Sequence, residues 1–171
     1  MSNIWVISDT HFNHTNIIKY CGRPFENSNE MNEHIIEKWN SVVKPEDKVY
    51  HLGDVYMGGD RRDVSSLLRR LHGHKRLILG NHDNGKDQLL FDNFQKIYMW
   101  RMFPEFGLLL THVPVHRSSL HKNGRNGAPA FELTNVHGHT HNNGSPEGPY
   151  KCVCVELIDY TPVNIEDLRT R

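Results

Sequence analysis

The sequence predicts an α/β fold in which two packed mixed β-sheets are flanked by helices. Two observations predict it. A strand-like apolar run followed by a helical pattern occurs three times before residue 94, and the remaining chain is dominated by short strand-like runs. At 171 residues and 37% apolar residues, the chain has the size and core-forming content of one domain, which we expect to span residues 1–171.

The first half of the chain alternates strands and helices. Residues 3–8 are apolar and bounded by polar residues, which predicts a buried strand. A short helix follows around Ile17 and Ile18, and Asn27 or Ser28 can cap a longer helix that reaches about Val43. Further strands are predicted at 47–52 and 75–79, and helices at 61–71 and 87–93.

The second half is richer in strands. Residues 94–103 and 107–110 are predicted strands of a more antiparallel kind, and short strands are predicted at 136–137, 151–157 and 162–165. Residues 114–130 show no periodicity, and a loop of this length in a compact domain is usually functional or disordered.

Polar residues follow five of the apolar runs. They are Asp9-Thr10-His11, Gly53-Asp54, Gly80-Asn81-His82-Asp83, Thr111-His112 and Gly138-His139-Thr140-His141. Such groups cost free energy if they are buried without a partner, and strand ends gather at one edge of a sheet. The sequence therefore predicts a metal site assembled from the whole chain.

The candidate ligands are oxygen and nitrogen donors without a thiolate: Asp9, His11, Asp54, Asn81, His112, His139 and His141. This mixture suits Mn²⁺, Fe, Zn²⁺ or Ni²⁺ better than Ca²⁺ or Mg²⁺. Seven ligands are too many for one ion, but a bridging carboxylate would divide them into four and four. The net charge of two divalent ions together with two carboxylates and a bridging hydroxide is about +1. This charge complements a phosphodiester monoanion.

The five motifs, in this order, resemble those of the calcineurin-like metallophosphoesterases. The stretch from His11 through Phe12, His14 and Asn16 to Ile18, together with Arg23-Pro24-Phe25, is similar to the small bacterial and phage-encoded members. The resemblance implies an αββα sandwich with a di-metal site at the C-terminal strand ends.

The resemblance also implies roles for individual residues. Asp9, His11 and His141 would hold one metal, Asn81, His112 and His139 the other, and Asp54 would bridge them. His82 would be the general acid and Asp83 would hold it. Mn²⁺ is the preferred assignment for both ions.

Three further residues are candidates for substrate binding. His14 lies three residues after a predicted ligand, and it can contact either substrate or the ligand itself. Arg23 and Arg117 are candidate phosphate clamps, although an arginine in such a position is more often an ordinary surface residue. We expect the loop 114–130, which carries His116, Arg117, Lys122 and Arg125, to govern substrate choice.

Composition restricts the partners. Twenty basic and twenty acidic residues give a formal charge of zero, so nothing favours binding to duplex nucleic acid or to an anionic membrane. No apolar run is long enough for a membrane span, and residues 1–8 lack the features of a signal peptide, so we expect a cytoplasmic protein. The sequence does not indicate an oligomeric state.

Three functions are compatible with these observations. The preferred one is hydrolysis of a phosphodiester in a small nucleotide or at a nucleic-acid end. The alternatives are a phosphomonoesterase and a metal-free scaffold on the same fold, and the presence of all seven ligands and the acid disfavours the scaffold.

Overall fold

The structure is a computed structural model that describes residues 2–124 and 129–170. The described strands, in chain order, are β1 (Ile4–Ile7), β2 (Lys48–His51), β3 (His74–Ile78), β4 (Lys96–Tyr98), β5 (Arg101–Phe103), β6 (Leu108–Leu110), β7 (His121–Lys122), β8 (Phe131–Glu132), β9 (Thr134–His137), β10 (Tyr150–Cys152) and β11 (Val163–Asn164). The α-helices are α1 (Thr15–Tyr20), α2 (Ser28–Val42), α3 (Arg61–Arg70), α4 (Gln88–Asn93) and α5 (Ile165–Leu168).

Nine of these strands form two mixed sheets. The first has the order β11-β1-β2-β3-β4, in which β1 to β4 are parallel and β11 is antiparallel to β1. The second has the order β10-β9-β6-β5, in which only β5 is antiparallel to its neighbour. Strands β7 and β8 form a separate hairpin.

The first sheet is covered on both faces, by helices on one side and by the second sheet on the other. Ile7 points into a core shared with α2, α3 and α4, whereas its neighbour Val6 points into a core shared with Leu110 and Val136 of the second sheet. This is the alternation that a strand buried on both faces requires. The predicted α/β fold, with two packed mixed sheets flanked by helices, is confirmed.

Helix α2 shows how local sequence supports this packing. The Asn27 side chain accepts a hydrogen bond from the Glu30 N–H at 2.9 Å, which satisfies one of the unpaired donors at the helix start. Met31, Ile35 and Trp39 are fully buried against the first sheet. The predicted cap and apolar stripe are therefore confirmed.

Four sequence predictions, for residues 94–103, 114–130, 151–157 and 162–165, are corrected. Residues 94–103 do not form one antiparallel segment, because β4 is parallel to β3 in the first sheet and only β5 joins the second sheet. The segment 114–130 contains a 3₁₀ turn, Arg117–Ser119, and strand β7, while Arg125 lies outside the described residues. Residues 151–157 end as a 3₁₀ turn, Val155–Leu157, and α5 begins at Ile165.

Among the helices of residues 2–124 and 129–170, none combines the length and hydropathy that a membrane span needs.

Candidate metal centre

The first sheet brings four predicted ligands to one edge. Because β1, β2 and β3 are parallel, the residues that follow them, including Asp9, Asp54 and Asn81, lie beside one another. Backbone hydrogen bonds continue the pairing past the strands. The Asp9 N–H donates to the Gly53 carbonyl at 3.0 Å, and the His11 N–H donates to the Asp54 carbonyl at 3.1 Å.

The second sheet brings the other three ligands to the same edge. His112 follows β6, while His139 and His141 follow the parallel strand β9. The Ser8 N–H donates to the Val153 carbonyl at 3.0 Å, so the ends of β1 and β10 are joined directly. The carboxyl ends of the two sheets therefore meet where the polar residues lie.

The backbone at these residues is unusual. Asp9, His11, Asp54, His139 and His141 all have positive φ angles, between 48° and 69°. Left-handed conformations cost a non-glycine residue roughly 1–2 kcal/mol each. Strain of this kind tends to cluster at functional sites, where the rest of the fold holds it in place.

Two glycines allow the chains to approach one another. A Cβ atom at Gly80 would collide with the Asp54 carboxylate and backbone N–H, and one at Gly138 would collide with the Ser8 hydroxyl and the Asp9 carboxylate. The motif glycines therefore leave room for the two carboxylates of the cluster.

Asp9, His11 and His141 lie together on one side of the cluster. His11 Nε2 is 3.8 Å from Asp9 Oδ1, and His141 Nε2 is 3.6 Å from the same oxygen. Asp9 Oδ1 and His11 Nε2 are buried and have no hydrogen-bond partner among the residues that the structure describes. Unpaired buried atoms of this kind are costly, and a bound cation would satisfy both.

Asn81, His112 and His139 lie together on the other side. Asn81 Oδ1 is 2.8 Å from His112 Nε2 and 2.9 Å from His139 Nδ1. Between the two groups, Asp54 Oδ2 is 3.6 Å from His11 Nε2 and 3.5 Å from His112 Nε2. Asp54 is thus the carboxylate that touches both groups.

Hydrogen bonds fix two of the imidazole rings in the form that binds metals. His112 Nδ1 lies 2.7 Å from the Leu52 carbonyl and His141 Nδ1 lies 3.0 Å from Glu156 Oε1, so each Nδ1–H donates. Each Nε2 then faces a carboxylate oxygen, so either a proton or a metal ion must lie between the two atoms. The residues present therefore fit metal ions.

The ionisation of the cluster favours cations. Burial raises the pKa of the Asp9 carboxyl, but the His11 and His112 rings and the Ser8 hydroxyl outweigh burial and hold that pKa well below its usual range. Burial likewise raises the pKa of Asp54, and His112 outweighs it. Both carboxylates are therefore negatively charged at neutral pH.

His82 and Asp83 lie next to the cluster, but not in the predicted relationship. The backbone N–H of His82 donates to Asp54 Oδ1 at 2.9 Å, and its exposed ring lies 5.8 Å from the His11 ring between centroids. The Asp83 carboxylate instead accepts from the backbone N–H groups of Asp54, Val55 and Gly80 at 2.8–3.0 Å. Asp83 therefore holds the two motif loops together rather than the His82 ring.

The three predicted substrate contacts lie in different surroundings. His14 Nδ1 is 3.1 Å from His11 Nδ1, and burial lowers the pKa of His14. Arg117 is exposed and forms an ion pair with Glu132 at 2.8 Å.

Arg23 is fully enclosed. Its five N–H groups donate to the backbone carbonyls of Asp9 and Thr10, to the Met31 sulfur and twice to Glu156. These bonds leave it no outward donor, which corrects the prediction that Arg23 clamps a substrate phosphate.

Two further residues, outside the set of predicted ligands, support the site. Glu156 accepts hydrogen bonds from both His141 and Arg23, and its position inside the strand-like run 151–157 gave no signal of this role. His51 is buried beneath the Asp54 loop, where its Nδ1 accepts from the Gly53 N–H and its Nε2 donates to Thr10. Burial lowers the pKa of His51 to about 3, so the ring is neutral.

One cleft opens at the cluster, and a second lies beside His82 and Asp83. The larger has a volume of about 560 Å³ and is lined by Asn81 and His112 together with mostly apolar residues, among them Leu79, Met99, Trp100, Met102, Leu109 and Val113. The smaller has a volume of about 190 Å³ and is lined by His82, Asp83 and residues such as Tyr56 and Asp87.

The two-sheet fold and this histidine-carboxylate cluster define a metal-dependent phosphoesterase. The sequence model of the calcineurin-like phosphoesterase family matches residues 2–106, which is more than half of the chain. The chain therefore belongs to the calcineurin-like phosphoesterase family, whose members typically bind two divalent metal ions.

The chain is also similar to two proteins along nearly its whole length and to a third along about half of it. It is 36% identical to the uncharacterized protein MJ1445 of Methanocaldococcus jannaschii, in a match that covers 97% of this chain and 89% of the relative. It is 40% identical to the Gene 66 protein of Mycobacterium phage D29, over 48% of this chain and 41% of the relative. A solved structure of AQ665 from Aquifex aeolicus, a protein of unknown function, superposes with a TM-score of 0.73 at 27% identity and covers 98% of both chains.

Proposed function

We propose that the cluster holds two divalent ions and hydrolyses a phosphodiester. Asp9, His11 and His141 would bind one ion, Asn81, His112 and His139 the other, and Asp54 would bind both. The proposal rests on Asp54 Oδ2, which lies 3.6 Å from His11 Nε2 on one side and 3.5 Å from His112 Nε2 on the other.

The chemistry divides between the ions and the chain. Two such ions supply charge neutralisation at the phosphate and activation of a water for attack at phosphorus. His82 is exposed beside the cluster and belongs to none of the possible metal-binding groups among the described residues, so its ring can donate a proton to the departing oxygen. Asp83 and His51 would keep the Asp54 loop in place.

The two clefts favour a diester over a monoester. A diester carries an organic group on each side of phosphorus, whereas a monoester carries one. The cleft at His82 can receive the leaving group, and the cleft at Asn81 and His112 can receive the other group. A small nucleotide or a nucleic-acid end has groups of suitable size.

Other parts of the proposal follow from the ligand types and the fold. Mixed oxygen and imidazole ligands suit Mn²⁺, with Fe, Zn²⁺ or Ni²⁺ as alternatives.

We propose that residues 1–171 act as one domain, because the two sheets share a core. This core contains Val6, Tyr50 and Ile78 of one sheet and Leu108, Leu110 and Val136 of the other. Cytoplasmic location and substrate contact by His14 and Arg117 stay predictions.

The test is turnover of bis(p-nitrophenyl) phosphate and p-nitrophenyl phosphate by chelator-treated protein, before and after addition of Mn²⁺. We expect p-nitrophenol release only with the metal, and a higher kcat/KM for the diester. Asp54→Asn is the matched variant that should lose turnover in both assays. Absence of turnover with Mn²⁺, Fe²⁺, Zn²⁺ and Ni²⁺ would instead support the scaffold function, and a preference for the monoester would support a phosphomonoesterase.

A further inference from the structure

We infer that the larger cleft binds a nucleobase of the substrate, stacked on the Trp100 side chain. The inference rests on the proposed function and adds the position and chemistry of the group that determines specificity. It assigns a role to Met99 and Trp100, which are not among the proposed metal ligands.

The position of Trp100 follows from the sheet topology. Strands β3 and β4 are parallel, so the residues after them lie at the same edge, and the Leu79 N–H donates to the Tyr98 carbonyl at 3.0 Å. Asn81 follows β3, while Met99 and Trp100 follow β4 and lead into β5 of the second sheet. The link between the two sheets therefore forms one wall of the cleft, next to a proposed metal ligand.

The side chains of this cleft suit an apolar planar group. Its lining includes Leu79, Met102 and Leu109, and Trp100 and Met99 are 56% and 71% exposed, respectively. Trp39, by contrast, is fully buried in the core. A large aromatic residue exposed beside a reaction site loses contact with water when a flat ligand stacks on it.

The occupant must also suit the metal cluster. Asn81 and His112 line both the cleft and the cluster, so a ligand in the cleft is continuous with a phosphate at the cluster. Lys122 also lines the cleft, and its ammonium group can donate hydrogen bonds to the acceptor atoms on the edge of a base. Bases stack on aromatic side chains without regard to sequence, which suits a single Trp platform. A protein segment in this cleft would block the cluster.

The first experiment compares two substrates with the same leaving group, thymidine 5′-(p-nitrophenyl) phosphate and methyl p-nitrophenyl phosphate, with the Mn²⁺-loaded protein. We expect Trp100→Ala to raise KM for the nucleoside ester roughly tenfold, the size of one lost stack. Its kcat/KM for the methyl ester should change less than about twofold. Trp100→Phe should restore most of the affinity for the nucleoside ester, since a phenyl ring can still stack.

Phe91→Ala is the matched control, because Phe91 is also an exposed aromatic residue but does not line the cleft. It should change neither substrate's KM. Equal losses on both substrates in Trp100→Ala, or no change on either, would overturn the inference.

The second experiment measures binding without turnover. Thymidine 5′-monophosphate should quench the tryptophan fluorescence of the wild-type protein with saturation, while 2-deoxyribose 5-phosphate should not. The quenching should disappear in Trp100→Phe, which keeps Trp5 and Trp39. Equal quenching in that variant would overturn the inference. Quenching by the nucleotide in a protein that hydrolyses no ester would reject the proposed function and leave the base site standing.

Light scattering of wild-type protein and Trp100→Ala completes the test. We expect the same oligomeric state for both. A wild-type dimer that Trp100→Ala dissociates would show that a second copy covers the cleft and would overturn the inference.

Discussion

Glu156 Oε1 lies 3.0 Å from Nδ1 of His141 and accepts a hydrogen bond from that ring nitrogen. The same oxygen accepts from Arg23 at 2.6 and 2.9 Å, so the carboxylate is held on two sides. Burial lowers the pKa of His141, but Glu156 and Asp9 outweigh burial and raise it. Glu156 thereby directs His141 Nε2 toward Asp9, although it is not itself one of the predicted ligands.

Glu156→Gln should weaken Mn²⁺ binding roughly 10- to 100-fold, the usual effect of losing a carboxylate that orients a ligating histidine. Isothermal titration calorimetry with Mn²⁺ measures this directly. Glu33→Gln is the control, because Glu33 also pairs with an arginine, Arg70, but on the exposed surface. Equal Mn²⁺ affinities for wild type and Glu156→Gln would contradict the role of Glu156.

His82→Ala should keep both metals and lose most turnover on a diester with a poor leaving group. The expected loss is roughly 10²- to 10⁴-fold, because nothing then protonates the departing alkoxide. A p-nitrophenyl ester should lose much less, since p-nitrophenolate leaves without a proton. Parallel kcat measurements on the two esters decide the matter, and an equal loss on both would reject His82 as the acid.

Adding Mn²⁺ to chelator-treated protein should raise its Tm. An ion that binds only the folded state contributes about 2.7 kcal/mol at a hundredfold excess over Kd. For a protein of this size that corresponds to a rise of about 5–11 °C per site. Asp54→Asn should lose most of the rise, since Asp54 touches both halves of the cluster, whereas His82→Ala should keep it. A wild-type melting curve indifferent to chelator and Mn²⁺ would favour the scaffold function.

The strained backbone at His139 predicts that glycine is more stabilising than alanine at this position, the reverse of the usual order. His139 has a φ of 69°, so His139→Gly in metal-free protein should be more stable than His139→Ala by about 1 kcal/mol. Both variants remove the same imidazole, so urea unfolding isolates the backbone effect. Thr140, whose φ is −84°, is the control, and there Thr140→Ala should be the more stable variant.

Asp47, which is not part of the metal cluster, should make the free energy of unfolding depend on pH. Burial raises the pKa of Asp47, but the N–H groups of Lys44 and Asn3 and the Trp5 indole outweigh burial and lower it. Because the folded pKa is below the unfolded one, this stabilisation is complete above about pH 4 and is lost as pH falls through the folded pKa.

Asp47→Asn should therefore be less stable than wild type at pH 7 by about 1–3 kcal/mol, since an amide nitrogen cannot accept these bonds. The difference should shrink toward pH 3 in urea unfolding experiments. Glu46→Gln, at the neighbouring exposed position, should match wild type at both pH values. A difference that stays constant with pH would contradict the lowered pKa of Asp47.

Much of the fold was predictable because its signals are local. The apolar run before Asp9 and the cap at Asn27 both lie within a few residues of the structure that they define. Parallel strand ends share one edge, so Asp54 and Asn81 could be placed beside Asp9 without knowing any distance.

The remaining features depend on contacts between distant parts of the chain. Glu156 and Arg23 are separated by 133 residues, and a buried arginine has the same sequence context as an exposed one. The change of sheet after Tyr98 leaves no trace in periodicity, because β4 and β5 are both short strands. Without that change of sheet, the position of Trp100 in the cleft beside Asn81 could not be predicted.

The predicted ligands are divided between two sheets, with Asp9, His11, Asp54 and Asn81 from the first and His112, His139 and His141 from the second. Bound ions would therefore hold the two sheets together. By thermodynamic linkage, a change that loosens the contact between the sheets also lowers the affinity for the ions. Leu110 is fully buried between the sheets, two residues before His112. Leu110→Ala would therefore weaken metal binding by loosening the packing of one sheet on the other. Metal affinity thus reports on core packing at residues that do not contact the ions.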